Sequence, residues 1–226
     1  MNIRQHIPNA LTCGNLLCGC AGILSVMQQS THSAIWFVLA ACTFDFFDGF
    51  SARMLKVNSA IGKELDSLAD MVSFGVLPAL VMYQMIDTIS QSRWLPYTAF
   101  SLAVFSALRL AKFNIDENQK DTFIGLPTPA NALAITSLVY LKSPWDFFIS
   151  NDILLVVTVI VFSFLLVSPW ELFALKFKDF SWAGNRVRFT FLGLAVLLLF
   201  FGQLAALPFV ILLYILISLL QRWVSF

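Results

Sequence analysis

DFFDGFSARMLKVNSAIGKELDSLAD, residues 45–70, sets four aspartates into a chain that is otherwise mostly apolar. At mid-bilayer each carboxylate costs about 2.5–3.5 kcal/mol, so Asp45, Asp48, Asp66 and Asp70 together oppose burial by on the order of 10 kcal/mol unless something offsets them. Such a concentration of charge marks a site. Asp45 and Asp48 stand three apart and Asp66 and Asp70 four apart, so each pair occupies one face of its own helix. A hairpin turning near Val57 and Asn58 places Asp48 opposite Asp66, Asp45 opposite Asp70 and Arg53 level with Gly62. With ~1.5 Å of rise per residue, the carboxylates lie roughly 7–13 Å below the cytoplasmic ends of the helices, at headgroup depth.

The chain around this stretch reads as an integral membrane protein. Apolar residues make up 59% of its 226 positions and charged residues only 12%, about half the charged share usual in soluble domains. The formal net charge of +1 argues against a polyanion binder and leaves no nucleic-acid reading. Apolar runs near span length fall at about 10–28, 33–53, 66–86, 94–113, 128–142, 151–169, 188–202 and 204–222, which predicts an all-α polytopic bundle of about eight helices. The fifth is short and follows GLPTP, so a broken or tilted helix is expected there. The apolar N-terminal stretch lacks a small-residue cleavage site and is read as retained. With no soluble domain, linker or internal repeat in view, residues 1–226 form a single membrane domain.

Starting with the N-terminus inside, Arg4, Arg53, Lys56, Lys63, Arg109, Lys112, Lys120, Lys176, Lys178, Arg186, Arg188 and Arg222 all lie at cytoplasmic ends. Arg93 and Lys142 fall outside. This positive-inside bias predicts cytoplasmic termini and a cytoplasmic-side site, in a cell inner membrane. Trp36, Trp94, Trp145, Trp170, Trp182 and Trp223 all sit near predicted span ends, as an interfacial aromatic belt requires. Cys13, Cys18, Cys20 and Cys42 lack the companions of a zinc site and read as small packing residues, and His6 and His32 as solvated.

Four neighbouring carboxylates repel one another. Divalent cations remove the conflict: oxygen ligands suit Mg²⁺ or Mn²⁺, and two such ions can clamp a diphosphate while stabilising attacking and leaving oxygens. Arg53 adds a cation at the rim for phosphate oxygens. Gly49 and Gly62 remove side chains beside the cluster, which permits either close helix packing or the approach of a ligand.

The spacing Asp45-x2-Asp48-Gly49-x2-Ala52-Arg53-x8-Gly62-x3-Asp66-x3-Asp70 resembles the full signature of the CDP-alcohol phosphotransferase family. The resemblance implies a membrane enzyme that moves a substituted phosphate from a CDP-linked donor to an alcohol and releases CMP. IPNALTCGN at 7–15, ELDSLADMVSFGVLP at 64–78, LRLAKFN at 108–114 and FIGLPTPA at 123–130 extend the similarity toward the family's serine-using branch, where Lys112 replaces a more usual arginine. On that footing Asp45, Asp48 and Asp66 are metal ligands for two ions, and Asp70 is ligand and general base. Gly49, Ala52, Arg53, Ser59 and Gly62 line the CDP end of CDP-diacylglycerol, and Asn9 and Thr12 complete that site. For Asn9 an N-cap of the first span is an open alternative. Arg109, Lys112, Asn114 and Thr128 are candidates for binding L-serine, although anchoring to lipid phosphates also accounts for the two cations. The resemblance further implies a homodimer. Glycerol 3-phosphate or inositol as acceptor are rivals within the class. A cation-coupled transporter is a rival outside it, disfavoured because the acids cluster on one hairpin and no repeat is seen.

Overall fold

The computed structural model describes residues 3–57, 60–115, 122–174 and 182–224. Helices α1 (Ile3–Met27) and α2 (Ala34–Leu55) pack along much of their length. Small residues make this possible: a Cβ on Gly14 would lie 2.8 Å from the Phe44 ring, and one on Gly22 3.1 Å from Phe37 Cβ. Helix α2 ends in a Schellman turn, with Lys56 at φ 52° and the Val57 N–H donating to Ala52 O at 3.0 Å. This reversal sends the chain toward α3 (Ala60–Asp70).

Helix α3 passes without a break through a π turn, Met71–Val76, into α4 (Leu77–Ile89). Pro78 lacks the N–H that an α-helical ladder would direct to the Phe74 carbonyl, and the widened turn takes up that defect immediately after Asp70. Helix α5 (Phe100–Ile115) follows a 3-10 turn at Leu95–Ala99. After α6 (Thr128–Ser137) come α7 (Asp146–Ile149) and α8 (Asp152–Val167), the last capped by Asn151, whose side chain accepts from the Leu154 N–H. Helices α9 (Trp182–Gly202) and α10 (Leu207–Val224) pack on each other across a 3-10 turn at Gln203–Ala206.

The expected all-α membrane bundle is what the structure shows, built from ten helices among the described residues rather than from eight matching runs. Among the described residues four stretches are long and apolar enough to cross a bilayer: His6–Met27, Thr31–Leu55, Ala60–Ile89 and Asn185–Gln221, the last taking in most of α9 and α10. Helix α6 is short, as GLPTP led us to expect. One feature departs from an all-helical chain. β1 (Thr122–Ile124) and β2 (Glu171–Phe173) form an antiparallel two-stranded ribbon with Phe123 opposite Leu172, joining the connection before α6 to the one after α8.

Two apolar clusters hold the bundle. One, with Phe74, Leu77, Val38 and Ala132, locks α1, α2, α4 and α6 together. The larger, with Met82, Leu102, Ile135, Leu155 and Tyr214, joins α4, α5, α6 and α8 to the C-terminal pair. Outward faces carry Leu17, Leu24, Val196, Phe200 and Phe201, the reverse of a soluble surface. Trp36, Trp94, Trp145, Trp170 and Trp182 are likewise exposed. Of the cysteines, Cys18 and Cys42 pack against the first cluster, whereas Cys13 and Cys20 face outward and do not serve as packing residues.

Candidate active site

Helix α2 supplies Asp45 and Asp48, α3 supplies Asp66 and Asp70, and α1 lies against both. One carboxylate oxygen from each of Asp45, Asp48 and Asp66 falls within 4.8 Å of the others. The hairpin register expected from spacing therefore brings Asp48 to Asp66 as predicted. Asp70 sits deeper, buried, and within electrostatic reach of Asp45 and Asp66.

Helix α1 positions two of the four. Thr12 Oγ1 donates to Asp48 Oδ2 at 2.7 Å, and Asn15 Nδ2 donates to Asp70 Oδ1 at 3.0 Å. The backbone carbonyl of Asn15 in turn accepts from Ser73 Oγ at 2.9 Å, which ties α1 to the π turn. Gly19, one turn further on the same face, permits that approach, because a Cβ there would lie 2.9 Å from Ser73 Cα.

These two donors leave the cluster far from neutralised. Asp66 Oδ1 is buried and has no hydrogen-bond partner among the described residues, a condition that native interiors tolerate only where something else occupies the site. An all-oxygen set with unused lone pairs matches a hard divalent cation. Asp45, Asp48 and Asp66 thus fit a metal group, and Asp70 lies outside that set.

Beside the carboxylates opens a cleft of about 230 Å³, lined by Pro8, Asn9, Thr12, Asp48, Gly49, Ala52, Val57, Gly62, Lys63 and Asp66. Five of the seven residues expected at the donor end, Asn9, Thr12, Gly49, Ala52 and Gly62, are in that wall. Gly49 chooses between its two readings: a Cβ added there meets nothing within 4 Å, so the glycine keeps a cleft open and does not serve helix packing. Asn9 lies well inside α1, which begins at Ile3, and the N-cap alternative falls. Arg53 is exposed, one turn beyond Gly49, outside the lining. Ser59 lies outside the described residues.

The residues expected to meet the acceptor divide. Arg109 is buried, its Nη1 donates to Thr128 Oγ1 at 3.4 Å, its guanidinium lies 5.7 Å from the Phe113 ring centroid, and the charge of Asp70 acts on it. Arg109 and Thr128 therefore form one unit within electrostatic reach of Asp70. Lys112 is exposed and borders a separate hollow of about 410 Å³ that it shares with Arg109, Ser168 and Pro169. Asn114 clamps α5 to α3 instead: its Nδ2 donates to Ser67 Oγ at 2.9 Å and its carbonyl accepts from Lys63 Nζ at 2.6 Å.

Gly125, in FIGLPTPA, adopts φ +75°, and a Cβ there would lie 3.1 Å from the Leu166 carbonyl carbon. With the Gly125 and Leu126 N–H groups donating to Trp170 O and Leu165 O, the segment is seated on the end of α8 and delivers Thr128 to Arg109. Sequence reasoning missed Asn15 and Lys63. Asn15 carried a legible signal, a carboxamide one helical turn past Thr12 in an apolar span, whereas nothing in the pattern set Lys63 apart from an ordinary cytoplasmic cation.

Comparison with known proteins agrees with this geometry. The family model described as CDP-alcohol phosphatidyltransferase matches residues 5–167. A CDP-diacylglycerol–serine O-phosphatidyltransferase of Bacillus subtilis (strain 168) is 36% identical over 181 residues, covering 78% of this chain and 92% of its own. One from Helicobacter pylori (strain J99) is 31% identical and spans 99% of this chain and 93% of its own. An archaetidylserine synthase of Methanothermobacter thermautotrophicus is 32% identical over 160 residues, 70% of this chain and 67% of its own.

Proposed function

The chain belongs to the CDP-alcohol phosphatidyltransferase family, and from that premise we propose that it transfers the phosphatidyl group of CDP-diacylglycerol to L-serine, giving phosphatidylserine and CMP. The observation that carries the chemistry is the convergence of Asp45, Asp48 and Asp66 on a cleft kept open at Gly49. Serine is favoured over glycerol 3-phosphate or inositol by the names of the relatives that cover most of the chain. The transporter reading has no comparable support.

Asp45, Asp48, Asp66 and Asp70 would hold divalent cations, Mg²⁺ or Mn²⁺ and two in number, which would neutralise charge on the diphosphate. Thr12 fixes the Asp48 carboxylate, and Asn15 fixes that of Asp70. Asp70 accepts the proton of the serine hydroxyl, whose oxygen bonds to the lipid-bearing β-phosphorus in line as the bond to CMP breaks. Asn9, Thr12, Gly49, Ala52 and Gly62 border the donor's cytidine end, with Arg53 and Ser59 at its approach. Arg109 and Thr128 orient the acceptor, while Lys112 and Asn114 act from the periphery.

The same proposal places one domain, residues 1–226, in the cell inner membrane with eight crossings and both termini cytoplasmic. The distribution of basic residues supports this orientation. Family resemblance supports a homodimer.

Purified protein incubated with CDP-diacylglycerol, Mn²⁺ or Mg²⁺ and labelled serine is expected to give labelled phosphatidylserine and stoichiometric CMP. CMP release with inositol or glycerol 3-phosphate but not serine would overturn the acceptor. Gly49→Leu is expected to keep the melting temperature of the detergent-solubilised protein while raising the KM for CDP-diacylglycerol by roughly tenfold or more. An unchanged donor KM would show that the opening at Gly49 is not used.

A further inference from the structure

One turn deeper than Arg109 and Thr128 lies a set of polar groups with nothing to bind. Ser106 stands three before Arg109 on α5 and Asn131 three after Thr128 on α6, and the two helices touch. Ser106 and Asn131 are both fully buried. Among the described residues, Ser106 Oγ, both amide atoms of Asn131 and Arg109 Nε have no hydrogen-bond partner. Asn15 Oδ1 is also unpaired, its Nδ2 being held by Asp70. On the other side Gly75 brings the π turn against Ser106, since a Cβ there would lie 3.2 Å from Ser106 Cβ.

Other buried hydroxyls of this bundle are not left this way. Thr136 Oγ1 donates to Ala132 O at 2.7 Å and Ser137 Oγ to Leu133 O at 2.6 Å, the usual return of a helical hydroxyl to its own backbone. Buried unpaired groups of this kind therefore call for a ligand.

Resting on the transfer reaction proposed above, we propose that Asn131 and Ser106, with Arg109, bind the ammonium and carboxylate of serine and thereby select an amino-acid alcohol. The unpaired set is bipolar. Arg109 Nε and the Asn131 NH₂ are donors, which suit a carboxylate, whereas the Asn131 carbonyl and Asn15 Oδ1 are acceptors, which suit an ammonium. Ser106 Oγ serves either. In either orientation of the Asn131 amide it offers one of each. A small zwitterion uses both kinds at once and leaves its hydroxyl for Asp70. Inositol or glycerol 3-phosphate carries no cation for the acceptors, and a site built around groups it cannot pair rejects it.

The test compares Asn131→Ala and Ser106→Ala with the wild type in CMP release, titrating serine and CDP-diacylglycerol separately and replacing serine with ethanolamine. Asn131→Ala is expected to raise the serine KM by about tenfold or more, with the donor KM within about twofold, and to shrink the preference for serine over ethanolamine. Ser106→Ala, which removes a single atom, is expected to raise the serine KM severalfold in the same selective way. A serine KM and a serine-to-ethanolamine ratio unchanged in Ser106→Ala, with Asn131→Ala unchanged or too unstable to purify, would overturn the assignment. So would equal rises in both KM values. Wild-type protein that releases no CMP with serine would instead overturn the function on which the assignment rests.

Discussion

Asp70→Asn is expected to lower serine-dependent CMP release by at least ~10³-fold while the protein stays folded and continues to bind donor. The substitution is nearly isosteric, and the carboxamide oxygen still accepts from Asn15 Nδ2 where Asp70 Oδ1 accepts at 3.0 Å. What is lost is the negative charge and the ability to take a proton. The position is buried against α1 and the π turn, so bulk water does not readily substitute as base. The check is CMP release by purified, metal-supplied enzyme alongside protection of the mutant against thermal unfolding by CDP-diacylglycerol. Turnover within about tenfold of wild type would remove Asp70 from the role of base.

Asp66→Asn is expected to separate stability from activity. Three carboxylates with oxygens within 4.8 Å of one another repel, and Asp66 Oδ1 has no hydrogen-bond donor to offset its burial. Removing that charge relieves the repulsion, so in EDTA the mutant melts at a higher temperature than wild type. Added Mn²⁺ or Mg²⁺ reverses the order: wild type gains stability by linkage and the mutant gains little. Activity falls by roughly 10³-fold, because the diphosphate loses its charge compensation. Melting curves with EDTA and with each cation decide the matter. An undiminished cation-dependent rise in the mutant would show that Asp66 is not a ligand.

Legibility in the sequence followed the physics of each feature. The four aspartates stood out because charge is rare in apolar helices, and their register followed from helical spacing and a short connection alone. The donor wall was visible through Gly49 and Gly62, since missing side chains next to charge are a local signal. Lys63 was hidden because its role depends on a contact to Asn114, 51 positions away. The ribbon was hidden for a similar reason: strands of three residues carry no periodicity, and β1 exists only because β2 comes to it. The π turn arises from Pro78 acting within an otherwise continuous helix, a defect that hydropathy does not register. Asn131 looked like an ordinary residue in a weak span until its amide was found unpaired.

The ribbon also imposes an order on how the protein is made. Every contact that assembles the carboxylates, Thr12 to Asp48, Asn15 to Asp70 and Ser73 to Asn15, closes within the first 73 residues. Thr128 is seated by a segment that leans on Trp170, and the strand after it is braced by Tyr214, whose hydroxyl donates to Phe173 O at 2.8 Å. During synthesis, when N-terminal parts fold first, the contacts around the aspartates can close before most of the chain has been made. The seat of Thr128, by contrast, waits for Trp170 and, through Tyr214, for the last helix.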